Sequence, residues 1–343
     1  MTIKVVQHIL GCIAVAAISV PTSMKAAEIP PDTAFCTTRS PVSMTDEWKK
    51  QRIRYESKIE KPDLVISLGQ QTHPALQDFV QEYAREKGLT IDIQQGTCGV
   101  TSRKLVNKSI DLGAFCCPPG ESDRLPGLRF HTIGIAPIAL VINTYNPIHS
   151  VSLTQARNIF QGEVVNWSEL PQSQRMENES PPILPVVRLH CKKRPGHWRL
   201  LLDTEDKFSP RVFEVGVIPD MITEVSRSTT AIGYETLFML DVYKDRGELK
   251  ILQVDEMHPA DLQHLIKGEY PIYRTYNLTT WNDGINNSAH AEDLVKRIKQ
   301  HIEEHGDRYG FIPVSRLKDA GWKFDGDELV AEPDGDIPPG SHL

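Results

Sequence analysis

Beyond its first residues this sequence has no long hydrophobic run, no excess of basic charge and no familiar catalytic signature, and each absence removes a class of function. No apolar stretch after Val20 approaches the roughly 20 residues that a membrane-spanning helix requires. Acidic residues outnumber basic ones, 45 against 38, for a net charge of −7, which makes nucleic acid a poor partner. There is no nucleophile elbow and no glycine-rich phosphate cradle, so an enzyme of those types is not expected.

What is present begins with an export leader. Lys4 precedes an apolar run from Ile9 to Val20, and small and polar residues follow to Glu28, so residues 1–27 are expected to be a signal peptide. Removing them takes away Lys4 and Lys25 and no acid, leaving a mature chain of charge −9 that is periplasmic or secreted, monomeric and not inserted in a membrane. Five cysteines then remain, Cys36, Cys98, Cys116, Cys117 and Cys191, an odd number for an oxidising compartment.

Residues 28–61 are a Pro-punctuated extension whose charged stretch Thr45–Lys61 is compatible with a helix. From Pro62 the pattern changes. Asp63–Ser67 is a short apolar strand that runs into Gln70-Gln71-Thr72 and then a helix opening at Pro74, with Leu76, Phe79, Val80, Tyr83 and Ala84 on one face. A strand at Thr90–Gln94 closes on Gly96-Thr97-Cys98-Gly99, a helix covers about Thr101–Asn107, and Asp111–Phe115 is a third strand. This alternation through short glycine-containing loops predicts an α/β fold with a parallel or mixed sheet, in which ligands collect at the carboxyl ends of the strands. Thr132–Asn143 is a longer apolar strand whose Pro137 predicts an edge or a bend.

The segment that follows is the most specific. Asn146-Pro147-Ile148 leads into a helix from Leu153 that ends in Ile159-Phe160-Gln161-Gly162, with Trp167 five residues on. Ala231-Ile232-Gly233-Tyr234, Tyr270-Pro271-Ile272-Tyr273-Arg274 and Gly310-Phe311-Ile312-Pro313 continue the same pattern. From about Pro62 to Val314 the chain resembles the periplasmic phosphate-binding proteins of ABC importers. The resemblance implies a two-lobed type II periplasmic binding protein fold, with mixed sheets, flanking helices and a two-segment hinge. It places one lobe at 62–138 plus 235–322 and the other at 139–234; the acidic, Pro/Gly-rich remainder, 323–343, is expected from its composition to be a flexible tail. The Ile159–Trp167 motif itself is scaffold: two buried side chains, a glycine exit and a tryptophan packed over it.

In that family an anion is held by N–H groups at helix starts, by hydroxyls, by an arginine and by a carboxylate, because a dry anion needs every oxygen satisfied. Carried over residue by residue, the resemblance implies a site at Gln70, Gln71 and Thr72, at Gly96, Thr97, Cys98 and Gly99, and at Arg188, Arg194, Gly196 and His197. The third loop departs from the family. Where an Arg is followed by Ser-Gly-Thr, this chain has His190-Cys191-Lys192-Lys193-Arg194-Pro195-Gly196-His197, without the hydroxyls and with a proline that cannot donate.

Two functions are therefore open. One is capture of a small inorganic ligand, phosphate or a related oxyanion, for ABC-importer membrane subunits or a sensor. The other reads Cys98, Cys116, Cys117, Cys191, His190 and His197 as a soft-metal or metalloid set, although no CxxC or HxxxH spacing among them supports it. Their competing reading is a disulfide framework, Cys98 with Cys116 or Cys117 and Cys36 with Cys191 or another permutation, or a vicinal disulfide. A thiol-based redox enzyme ranks below both. No cofactor is expected apart from that metal ion.

Overall fold

The computed structural model describes Phe35 and residues 39–171, 182–188, 201–202 and 207–336. Helices α1 (Asp46–Lys50), α2 (His73–Lys87), α3 (Cys98–Val106) and α4 (Leu153–Gln161) are followed by α5 (Ile218–Arg227), α6 (Leu237–Val242), α7 (Leu262–Ile266), α8 (Ala289–His305) and α9 (Val314–Asp319). The strands of the first half are β1 (Leu64–Gly69), β2 (Ile91–Gly96), β3 (Leu112–Phe115), β4 (Leu128–Asn143) and β5 (Ser150–Val151). Those of the second are β6 (Leu184–Val187), β7 (Phe213–Glu214), β8 (Ala231–Thr236), β9 (Leu249–Val254), β10 (Tyr273–Trp281), β11 (Lys323–Asp325) and β12 (Glu328–Ala331).

Two lobes share one strand. β4 is 16 residues long; its first part, Leu128–Pro137, pairs antiparallel with β10, and its second part, Ile138–Asn143, pairs with β8 and β9. The first lobe's sheet runs β2-β1-β3-β10-β4, with β1 parallel to both neighbours. The second lobe's sheet continues through β8, β6 and β7, and each lobe has its own apolar core. The expected mixed sheets with flanking helices are present.

Pro137 stands where β4 exchanges partners. It faces Tyr273 of β10, and the next residue, Ile138, is the first to pair with β8. A proline lacks the ladder donor, so the change of neighbour is the position in a central strand where it costs least.

Local signals account for the helices around it. α2 buries Ala75, Leu76, Val80 and Tyr83 and stops at Gly88, whose φ of 66° is left-handed. α4 opens on a Ser152/Gln155 capping box and closes at Gly162 with φ 83°. Phe160 is fully buried, edge-on to Phe208 and Tyr234, and the buried Trp167 donates its indole N–H to Thr230 O at 3.1 Å.

Three regions differ from the sequence expectation. Only Asp46–Lys50 of the stretch 45–61 is helical. The chain then runs extended, with Arg54 N–H donating to Lys108 O and Ile53 N–H to Asn286 Oδ1. Lys108, wholly buried, holds this strap from below: its ammonium lies over Trp48 and Trp281 and meets Asp283 Oδ2 at 3.0 Å. β9, which a lobe boundary at 235 would give to the first lobe, pairs with 140–143 and 150–151 of the second. The start of the tail is ordered: β11 and β12 form a hairpin about Gly326 (φ 58°) with Leu329 and Val330 buried, and its acids are neutralised by Arg39, Arg124 and Lys299.

Candidate anion site between the lobes

Four segments meet where the lobes touch, and they bring charge to a place without solvent. The turn after β1 supplies Gln70, Gln71 and Thr72; the end of β6 supplies Arg188; the end of β8 supplies Glu235 and Thr236; β10 supplies Arg274 and Tyr276. Arg188 is 3% exposed, and Arg274 and Glu235 are not exposed at all. A buried charge survives only if it is paired and hydrogen-bonded, and Arg188 and Glu235 are both. Arg188 Nη1 donates to Glu235 Oε2 at 2.6 Å and its Nη2 to Gln70 Oε1 at 3.0 Å. Gln71 Nε2 donates to Glu235 Oε1 at 2.5 Å, as does Thr236 N–H at 2.8 Å, and Arg274 Nη2 lies 3.7 Å from the same oxygen. Gln71 Oε1 in turn accepts from Thr236 Oγ1 at 3.2 Å and Tyr276 OH at 3.4 Å.

The electrostatics follow from burial. Burial alone would lower Arg274, but the Glu235 carboxylate and the surrounding Cys116, Tyr276 and Tyr234 hold it above its ordinary value, so it stays charged. Tyr276 and Tyr234 are pushed up by burial and remain neutral. Two guanidiniums against one carboxylate leave this cluster positive, and its donors come from a turn that starts a helix, from side-chain amides and from arginine forks. Donors of these kinds can hold a small anion.

Of the residues expected from sequence, Gln70, Gln71 and Arg188 belong directly to this cluster. Thr72 is buried beside them, its hydroxyl donating to Gly69 O at 3.3 Å. Gly96 pairs with Gly69 across β1 and β2, which sets the Gly96–Gly99 loop next to the Gln70–Thr72 turn. There Thr97 caps α3 by accepting from Val100 N–H at 3.3 Å, and Cys98 is buried at its first turn. Arg194, Gly196, His197, His190, Cys191 and Cys36 lie outside the described residues, as does the leader 1–27.

Three thiols converge. Cys98 Sγ is 3.5 Å from Cys116 Sγ and 4.0 Å from Cys117 Sγ, and all three are free and buried. The Cys117 contact lowers Cys116, but the Cys98 contact and burial outweigh it and push the thiol up to about 11. Cys117 is pushed well up by both neighbouring thiols and by burial. The metal-binding form is the thiolate, which this apolar setting disfavours. Among the described residues no group of three or more His, Cys, Asp or Glu side chains could hold a metal ion. In the disulfide reading Cys98 would pair with Cys116 or Cys117; both stand beside it as thiols.

Sequence reasoning missed Glu235, Thr236, Arg274 and Tyr276. A signal existed: Glu235 directly follows Ala231-Ile232-Gly233-Tyr234 and Arg274 directly follows Tyr270-Pro271-Ile272-Tyr273, so both are charges next to segments patterned for burial. It also passed over His301 and His305, spaced four apart on α8. His301 stacks on Phe79 at 4.3 Å and shares a 3.0 Å hydrogen bond with Tyr309 OH, which is a packing role. A cavity of about 390 Å³ beside the β11–β12 hairpin is lined by Arg39, Arg124 and His131, but these are paired with Asp325, Glu328 and Asp327.

A family model for the PBP superfamily domain matches residues 56–296. Two curated relatives, both phosphate-binding protein PstS 2 of Streptococcus agalactiae (serotype V and serotype III strains), are 23% identical over 117 residues, 34% of this chain. The match spans 40% of the length of those relatives. Among solved structures, a phosphate ABC transporter substrate-binding protein described with bound phosphate, from Clostridium perfringens, superposes with a TM-score of 0.62 at 18% identity. It covers 73% of this chain and 99% of that one. An ABC-type phosphate transport receptor from Vibrio cholerae gives 0.58 at 18% identity over the same shares. At this identity the structural likeness speaks for the fold.

Proposed function

The chain belongs to the PBP superfamily, and on that premise we propose that it is an extracytoplasmic solute-binding protein that captures a small oxyanion, phosphate or a close relative, between its two lobes. It hands the ligand to the membrane subunits of an ABC importer or to a sensor. The observation that carries this reading is the buried cluster of Arg188, Arg274, Gln70 and Gln71 at the point where both lobes contribute donors. A ligand bridging Arg188 and the Gln70–Thr72 turn would stabilise the closed arrangement, and lobe closure is what a transporter or sensor can read. Neutral, buried thiols and the lack of a metal-holding group among the described residues favour the oxyanion over a soft metal. No helix among the described residues is long and apolar enough to cross a membrane.

The test is ligand-induced stabilisation. At a concentration 100 times Kd a ligand adds about 2.7 kcal/mol to the folded state, so millimolar phosphate or arsenate should raise the melting temperature by several degrees. An unchanged melting temperature in phosphate, arsenate and sulfate alike removes the oxyanion reading.

A further inference from the structure

We propose that Glu235 is an internal counter-anion with which an incoming oxyanion competes, so that this one carboxylate sets the affinity of the cleft. The inference rests on the oxyanion reading above. Its basis is the company Glu235 keeps. The side chain is fully buried, and its two oxygens receive a guanidinium N–H from Arg188 at 2.6 Å, an amide N–H from Gln71 at 2.5 Å and a backbone N–H from Thr236 at 2.8 Å, with the Arg274 guanidinium 3.7 Å away. A guanidinium N–H, an amide and a main-chain N–H around one small anion are the kinds of donor that recognise phosphate, arsenate or sulfate. In this chain the carboxylate already draws on them.

The geometry also ties this anion to both lobes. Gln71 reaches it from the turn that follows β1 in the first lobe, and Arg188 from the end of β6 in the second. Glu235 thus makes the cross-lobe contact that a bound ligand would make. An oxyanion has two ways in. It can take Arg188 from the carboxylate, or it can bind beside it and accept repulsion from a neighbouring buried negative charge, which water does not screen there. Either way the carboxylate opposes capture, and it opposes a doubly charged anion more than a singly charged one.

Neutralising the group at nearly constant volume isolates the effect. In Glu235→Gln the amide oxygen can still accept from Arg188, while the competing charge is gone. Titration calorimetry of the full mature chain with phosphate and sulfate at pH 7.5 should show Glu235→Gln binding both at least tenfold more tightly than the wild type. Nitrate, with a single charge, should gain less. If the wild type binds and Glu235→Gln binds equally or more weakly, the counter-anion role is overturned and the oxyanion reading stands. If neither protein binds any of these anions, both are overturned.

A second variant covers failure of the first to fold. Glu235→Ala removes the carboxylate and leaves the arginines without that partner. Its melting temperature in dilute chloride buffer should fall below that of the wild type, and 10 mM sulfate or formate should restore at least half of the loss. A fall that neither anion reverses would overturn the proposal, because the site would then not accept an external anion in place of the carboxylate.

Discussion

Replacing Arg188 by Met tests whether the interlobe cluster is held by charge or merely surrounded by packing. Methionine fills much of the same volume without donors, so the change removes the hydrogen bonds to Glu235 at 2.6 Å and to Gln70 at 3.0 Å. The main-chain bond from Arg188 N–H to Tyr234 OH at 3.3 Å survives. Breaking a buried ion pair from one side costs about 3–5 kcal/mol, chiefly because the other charge is left without compensation. Here Arg274 stays 3.7 Å from the same carboxylate, so the lower end, about 3 kcal/mol, is expected. Urea denaturation of the purified chain measures it, with an unchanged slope showing that the same surface is exposed on unfolding. The decisive comparison is Arg188→Met combined with Glu235→Gln. The double variant should be less destabilised than the sum of the two single changes by about 2 kcal/mol, a coupling within the range for residues in contact. Strict additivity of the two single changes would refute the argument that the pair is an electrostatic unit.

Two further outcomes follow from groups outside the cluster. Burial pushes the Asp111 carboxyl from 3.8 up to about 6, against hydrogen bonds from Val65 N–H and Tyr55 OH that favour its charged form. The folded state therefore holds this proton more tightly than the unfolded state. The stability it contributes is present at pH 4 and is lost as pH rises through about 6. Relative to Asp111→Asn, the wild type should lose about 2 kcal/mol between pH 4 and 7, and parallel stability profiles would contradict this. For the thiols, a chain with Cys12, Cys36 and Cys191 changed to Ser should take up no aromatic disulfide reagent at pH 8 while folded. It should take up three equivalents in guanidinium, since Cys98, Cys116 and Cys117 are buried and free. Rapid labelling of the folded chain would show that the cluster is reactive.

The scaffold was legible because its determinants are local. The Ser152/Gln155 cap, the glycine exits at 88 and 162 and the apolar faces of α2 and α4 each lie within a few residues of the element they define. The same holds for Gln70–Thr72 and for Arg188, which sit at strand ends where an α/β sheet collects ligands. Glu235 and Arg274 were not legible, since their significance is the partner each meets: Arg188 is 47 residues from Glu235, and Gln71 is 164 residues away. The hairpin at 323–331 was misread for the same reason. Its acids look like a solvated tail until Arg39, 289 residues from Glu328, is placed beside them. The strap after Lys50 shows the reverse error, in which charged residues compatible with a helix are held instead by the Lys108 carbonyl and the Asn286 side-chain amide.

The central claim, that Arg188 at the lobe interface is the seat of oxyanion capture, is tested most directly by calorimetric titration of phosphate, arsenate and sulfate into the wild type and Arg188→Met side by side. Saturable one-site binding of at least one of them to the wild type is expected, with affinity at least a hundredfold lower in the variant. That ratio corresponds to about 2.7 kcal/mol for a lost buried charge-assisted contact. Equal affinity in the two proteins, or no binding of any of the three anions to the wild type, would contradict it.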